Sequence, residues 1–278
     1  MKKGDNDMVE KRIKQENIHL GRHGEDYGNW MSNPVFYMVG CLLAITAVLA
    51  VLSFTVFHIT MLGVIFTGAA VVLLALFLWI TWIRRQYAFD GGGMMEKVHQ
   101  VLLSHLDYDG KGNLLEVGCG SGALSIRAAL TWQESAVTGI DYWGAVYHYS
   151  QSLCEKNAAS EGVGSRCMFR RGDACKLDFS DESFDAVVSN YVYHNITGVD
   201  KQGLLLETLR VLKKGGVFAI NDEMKPRMYG DMEGFAQQLR DMGYQEVRLI
   251  DTAEEAFGSY RRAAMMMLGE SRMLVGRK

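Results

Sequence analysis

Charge is missing from one long stretch of this chain: between Pro34 and Ile83 there is no Asp, Glu, Lys or Arg. A bilayer core needs about 20 apolar residues per helix, so the stretch is long enough for two spans and a short turn. Proline is scarce as well, with two in 278 residues; together with 49% hydrophobic residues this argues against a disordered or linker-like chain. The five cysteines (Cys41, Cys119, Cys154, Cys167, Cys175) are odd in number and form no C-x-x-C pair. That argues against a disulfide framework or a zinc site, suits a reducing compartment, and leaves no metal expected. A basic block is lacking too, and a net charge of −3 offers no electrostatic footprint for nucleic acid.

The uncharged stretch divides into expected spans over residues 34–57 and 61–83, with a turn near His58-Ile59-Thr60. Asn33 reads as the N-cap and Pro34 as the first helical residue. Gly40, Ala44, Ala47, Gly63, Gly68 and Ala69 are small enough to let two helices approach. Lys11, Arg12, Lys14 and Arg22 precede the spans, Arg84-Arg85 follow them, and the turn has no basic residue. By the positive-inside rule both chain ends then face the cytoplasm of a multi-pass cell-membrane protein, with Trp30, Tyr37, Trp79 and Trp82 at the inner interface. The apolar run starts too late and is too long for a cleaved signal peptide. Residues 1–33 read as a loosely ordered cytoplasmic arm, and residues 84–278 as the globular domain.

That domain alternates strands and helices. Strands are expected at 114–118, 136–140, 167–171, 184–189, 217–221, 246–250 and 273–275, and helices at 94–106, 123–130, 147–159, 202–212 and 235–242. The most informative segment is Leu114-Leu115-Glu116-Val117-Gly118-Cys119-Gly120-Ser121-Gly122: a strand, an acid, then glycine at alternate positions. Such a turn lets main chain and a helix N-terminus approach a ligand closely. In open α/β sheets ligands bind at strand C-terminal ends. Asp141 ends the second strand roughly 20 residues after the turn, where an acid accepts from ribose hydroxyls. Asp173 follows the third strand, where it can accept from an adenine amino group, and Ser189-Asn190 end the fourth. Taken singly, Glu116 or Asp141 could be an N-cap and Asp173 a turn residue; three acids at successive strand ends point to a nucleotide-like ligand. Cys119 reads as a small residue in a tight turn rather than a reactive thiol.

With these motifs in view, residues 87–278 resemble a class I S-adenosylmethionine-dependent methyltransferase of the small-molecule branch that includes quinone- and sterol-methylating enzymes. The motifs are Glu116–Gly122, Gly139-Ile140-Asp141, Gly172-Asp173-Ala174, Phe184–Asn190 and Leu209–Gly216. The resemblance implies a doubly wound, mostly parallel seven-stranded sheet whose last strand is antiparallel, preceded here by the helical hairpin, and S-adenosyl-L-methionine as cofactor. It implies that Glu116 holds the methionine end indirectly, with Gly118, Cys119, Gly120 and Gly122 beneath it. It further implies that Asp141 binds the ribose, that Asp173 and the backbone of Ala174 bind the adenine, that Tyr142 or Trp143 covers the adenine face, and that Asn190 lies at the reaction centre. A nicotinamide enzyme is the competing reading, but its G-x-G-x-x-G spacing is not met, because the third glycine comes one residue early.

Methyl transfer from a sulfonium needs alignment and water exclusion more than a base. His194 is the base candidate by type; Tyr191 and Tyr193 are pocket residues, Tyr191 also a catalytic candidate. Asp222 and Glu223 are placed to orient an amine or hydroxyl, or to bind nothing. The segment Phe89–Met94 reads as a glycine-hinged lid or a linker, and Gly258–Gly269 as an adaptable apolar stretch that forms core helix or touches a lipid-like substrate. The fourth strand end lacks the prolines of nucleobase amino methyltransferases. The expected substrate is therefore a small, amphiphilic acceptor, with a soluble metabolite, a protein, or a non-catalytic sensor role as alternatives.

Overall fold

The computed structural model describes residues 23–89, 93–144 and 149–278. The basic residues Lys11, Arg12, Lys14 and Arg22, the core Asp90-Gly91-Gly92 of the lid segment, and Tyr147, expected to open a helix, lie outside the described residues.

Two long helices lead, α1 (Asn33–Thr55) and α2 (Thr60–Tyr87). Both are long and apolar enough to cross a membrane, and only 11% and 6% of their most apolar windows are buried within the chain. Small residues let them pack. A Cβ on Gly63 would lie 2.5 Å from the Phe54 ring and one on Gly40 3.2 Å from Phe77, whereas Gly68 faces open space. Asn33 is not the cap expected of it: Ser32 holds that position, and Asn33 Oδ1 accepts from the Arg84 guanidinium at 2.7 Å. A charge-assisted bond outcompetes a neutral cap.

The domain follows as α3 (Met94–Ser104), β1 (Lys111–Val117), α4 (Ala123–Thr131), β2 (Glu134–Asp141), α5 (Gln151–Ser160), β3 (Cys167–Arg171) and β4 (Phe184–Asn190). Then come α6 (Lys201–Arg210), β5 (Leu212–Glu223), α7 (Pro226–Tyr229), α8 (Met232–Asp241), β6 (Gln245–Asp251), α9 (Thr252–Phe257), α10 (Tyr260–Met265) and β7 (Ser271–Arg277). The sheet order is β3-β2-β1-β4-β5-β7-β6. The first five strands pair in parallel, and β7 runs antiparallel to both β5 and β6. Strand alternation sends Leu114, Ala186, Val188 and Ala219 into one core layer and Leu115, Val187, Phe218 and Ile220 into the other, as the period of two requires. β5 starts earlier than expected, because Lys213 is held in the sheet by Asp185 at 2.8 Å rather than ending a helix. α7 and α9 were not expected, whereas α10 falls in the stretch Gly258–Gly269 read as helix core, and its Ala263 packs in the third core cluster.

A third apolar cluster joins hairpin to domain: Ile83 and Tyr87 pack with Met94, Val98, Phe257, Ala263 and Met266. Residues 23–32, expected to be loose, are strapped onto the domain. Tyr27 is fully buried, Asn157 Nδ2 donates to the Asp26 carbonyl at 2.8 Å, and Ser121 Oγ donates to the Tyr27 carbonyl at 2.9 Å. Trp30 therefore does not sit in an interfacial belt; it packs against Tyr87 and Tyr191, with ring centroids 5.5 and 5.1 Å away.

Candidate active site

The strand order reverses between β1 and β4, and this switch point is where an open parallel sheet leaves a crevice. A cavity of about 890 Å³ lies there, walled by the C-terminal ends of β1, β2, β3, β4 and β5. Ligand pockets usually run from about 300 to 1,000 Å³, so there is room for two ligands side by side. Of the residues singled out above, Glu116, Gly118, Cys119, Gly120, Asp141, Tyr142, Asp173, Ala174, Asn190, Tyr191 and His194 line it. Gly122 does not; it opens α4 at φ +83°, where an added Cβ would lie 3.1 Å from Phe169.

The glycine turn offers room rather than donors. The N–H groups of Gly118 and Cys119 both donate to the Ile140 carbonyl, and that of Gly122 to Cys119. The Gly120 N–H donates to Asp141 Oδ2 at 2.8 Å, and Trp143 N–H to Asp141 Oδ1 at 2.7 Å. Each carboxylate oxygen keeps a second lone pair, enough for the two hydroxyls of a vicinal diol. Glu116 is buried beneath the turn and accepts from Ser125 Oγ. Burial pushes its carboxyl up to about 8. Burial also pushes the Cys119 thiol up, which fits the inert reading of that residue. Asp173 Oδ1 accepts from Cys175 N–H at 2.8 Å, an Asx turn that also fixes the side chain at the rim. Tyr142 is exposed with the Arg171 guanidinium 4.7 Å above its ring, while Trp143 donates through Nε1 to the Gly120 carbonyl at 2.9 Å.

On the β4–β5 side the chemistry changes. His194 Nδ1 and Asp222 Oδ1 are 2.5 Å apart. Asp222 is fully buried and also accepts from the N–H groups of Tyr193, His194 and Glu223. So saturated a carboxylate fixes the imidazole with Nδ1 as donor and leaves Nε2 for a ligand. Burial pushes the Tyr191 hydroxyl up; bonded to Ser271 Oγ at 2.5 Å, it is a neutral positioning group rather than a base. Asn190 Oδ1 accepts from Asn221 Nδ2 at 2.8 Å, tying it into the same buried network. His99 on α3 was not anticipated. It lines the cavity and is buried with Nδ1 unpartnered, and burial lowers its pKa to about 3, so it stays neutral. The signal was present in the sequence, since His99 interrupts the apolar face between Met95 and Leu102. Among the described residues one trio, His23, Glu25 and Glu161, brings potential metal-binding atoms together; it lies outside the cavity.

Residues 115–220 match the family model described as a methyltransferase domain. Residues 115–220 thus carry a methyltransferase domain, similar to those of S-adenosylmethionine-dependent methyltransferases. The chain is 30% identical over 126 residues to the demethylmenaquinone methyltransferase of Desulfitobacterium hafniense (strain Y51), covering 44% of this chain and 46% of that one. It is 31% identical over 134 residues to the phosphatidylethanolamine N-methyltransferase of Cereibacter sphaeroides, covering 48% and 61%. The methyltransferase domain also shares its fold with the geranyl diphosphate C-methyltransferase of Streptomyces coelicolor A3(2): TM-score 0.51 at 14% identity, covering 66% of this chain and 79% of that one. The chain spans about half the length of the first curated relatives it matches. The dinucleotide reading departs on topology as well as spacing: that fold's strand order is 3-2-1-4-5-6, whereas here an antiparallel β7 is inserted between β5 and β6.

Proposed function

We propose that this chain is a membrane-anchored methyltransferase that moves a methyl group from S-adenosyl-L-methionine to a small amphiphilic acceptor. The observation that carries the reading is the composition of one cavity. Its acidic strand-end rim (Glu116, Asp141, Asp173) runs directly into an apolar and aromatic compartment built by Trp30, Met31, Tyr87 and Met267, at the domain end of the hairpin. An acceptor with an apolar tail can thus reach the reaction centre from the bilayer surface. Low burial of α1 and α2 favours lipid contact over a soluble core, and Arg84-Arg85 at the end of α2 favour a cytoplasmic domain. Relatives named for methylating demethylmenaquinone, a sterol and phosphatidylethanolamine support an acceptor of this kind.

The cavity residues fit the cofactor: an acid at the end of β2 and another just after β3, a bare glycine turn, and a buried acid below. When bound, it supplies an activated methyl on a sulfonium. Asp141 and Asp173 hold the nucleoside end, the strap from Tyr27 to Met31 excludes water, and His194 Nε2 takes a proton from the acceptor. The test incubates membranes holding the full chain with methyl-labelled S-adenosylmethionine and cell extract. Label in the organic phase is expected. Label only in polar metabolites or protein replaces the acceptor class, and no label above an Asp141→Ala control makes the chain a sensor.

A further inference from the structure

Resting on that methyltransferase reading, we propose that the acceptor is a primary or secondary amine on a zwitterionic headgroup, bound as its ammonium by Glu223 and the rings of Trp30, Tyr87 and Tyr191.

Glu223 ends β5, lines the cavity and is 4% exposed. Neither of its carboxylate oxygens has a hydrogen-bond partner among the described residues. A buried carboxylate left this way costs stability unless a cation completes it. Among the described residues its ion-pair partner is Lys225, whose Nζ lies 3.2 Å from Oε2. The pair is graded: the Lys225 side chain is 38% exposed and the Glu223 side chain 5%. The acid therefore sits inward and the base toward solvent.

Three aromatic rings line the same cavity as this acid. Trp30 lies 5.5 Å from Tyr87 and 5.1 Å from Tyr191 between centroids, the latter edge-to-face, and all three line the cavity with Glu223. Burial first, then the negative charges of Glu223 and Asp222, push the Tyr191 hydroxyl up, which keeps it neutral beside the acid. Aromatic rings and a carboxylate lining one cavity suit an alkylammonium, which cation–π attraction and an ion pair hold in a desolvated site. A phenol or a carbon nucleophile gains nothing from Glu223 and leaves it with the half-exposed Lys225 as its ion-pair partner. An anionic group next to the amine meets Lys225 at the mouth, so that the bound headgroup exchanges one internal ion pair for two.

The chemistry closes with residues already present. His194 Nε2 removes one proton from the bound ammonium. The neutral nitrogen then forms its bond to the methyl carbon as the carbon–sulfur bond breaks, the electron pair staying on sulfur. The product is the methylated ammonium, a thioether and one proton released through His194.

The test uses the full chain in vesicles with methyl-labelled S-adenosylmethionine. One arm supplies phosphatidylethanolamine, a second soluble phosphoethanolamine, and a third phosphatidylglycerol vesicles with cell extract. Label on the amine of the first or second arm is expected, and the arm that labels identifies a lipid headgroup or a free phosphoamine as the source. Glu223→Gln should lower kcat/KM for the amine by about 30-fold or more, and Trp30→Leu should raise KM about 10-fold. Both should bind S-adenosylhomocysteine as the wild type does, which shows them folded. Label on a hydroxyl or carbon acceptor from the extract overturns the amine assignment while the methyltransferase reading stands. Label on the amine with Glu223→Gln at wild-type rates overturns the role of Glu223. No transfer to any acceptor and no S-adenosylhomocysteine binding sinks both.

Discussion

The two halves of the cavity were built differently. The cofactor half is made of short contiguous motifs: a strand, its last residue and the next loop supply Glu116 and the glycine turn, then Asp141, then Asp173. The acceptor half draws Trp30, Tyr87, His99, Tyr191, His194, Glu223 and Met267 from segments far apart in the chain. On the proposed reading the first half serves a ligand common to a whole family, and the second a ligand particular to this chain. The difference implies that variants in the two halves separate cleanly, one set changing cofactor affinity and the other turnover or acceptor KM.

The largest effect is expected in the acceptor half. His194→Gln should reduce turnover by about 10²- to 10⁴-fold, the usual worth of a positioned base, with S-adenosylhomocysteine affinity unchanged by calorimetry. Near-wild-type turnover would mean that alignment alone suffices and that the His194–Asp222 pair is structural. On the cofactor side, Asp141→Ala should weaken S-adenosylhomocysteine binding about 100-fold, or about 2.7 kcal/mol. It removes the proposed ribose acceptor and also the carboxylate that takes the N–H groups of Gly120 and Trp143. An equal loss of cofactor affinity in Glu223→Gln would break the division.

The same contrast explains what could be read from the chain alone. Alternating apolar residues and glycines marked the strand ends, because parallel strands place their chemistry in the loop that follows. The acids and the glycine turn were therefore legible one by one. The β7 reversal was not legible by pattern; it came with the resemblance. The His194–Asp222 pair was invisible, since it joins the ends of two neighbouring strands that are 28 residues apart in the chain. Trp30 was misplaced because a tryptophan near an apolar helix reads as interfacial; only the folded strap around Tyr27 turns it inward. The cap role given to Asn33 failed for a related reason: its partner, Arg84, is 51 residues away.

A smaller, purely conformational effect tests whether the glycine turn is there for room. Gly122→Ala places a methyl group at φ +83° and 3.1 Å from Phe169, so it should destabilise the domain by about 1–3 kcal/mol, seen as a lower melting temperature. Because Gly122 does not line the cavity, S-adenosylhomocysteine affinity measured well below the melting point should barely change. A large affinity loss would place Gly122 in the cofactor half after all.

The subtlest expected effect concerns Glu116. Burial raises its carboxyl from 4.5 to about 8. A group whose folded value is raised contributes stability that is fully present below its unfolded value and is lost as pH rises through the folded one. The ligand-free protein should therefore lose stability between pH 4.5 and 8 and then level off, and Glu116→Gln should remove that slope, seen as a difference in melting temperature that grows with pH. A cationic methionine end above Glu116 favours the ionised carboxylate, so cofactor binding near pH 7 should release a proton. Calorimetry in buffers of different ionisation enthalpy measures that release. A wild type and a Glu116→Gln variant that release equal numbers of protons would remove Glu116 from the cofactor half, leaving its carboxyl a buried partner of Ser125 and nothing more.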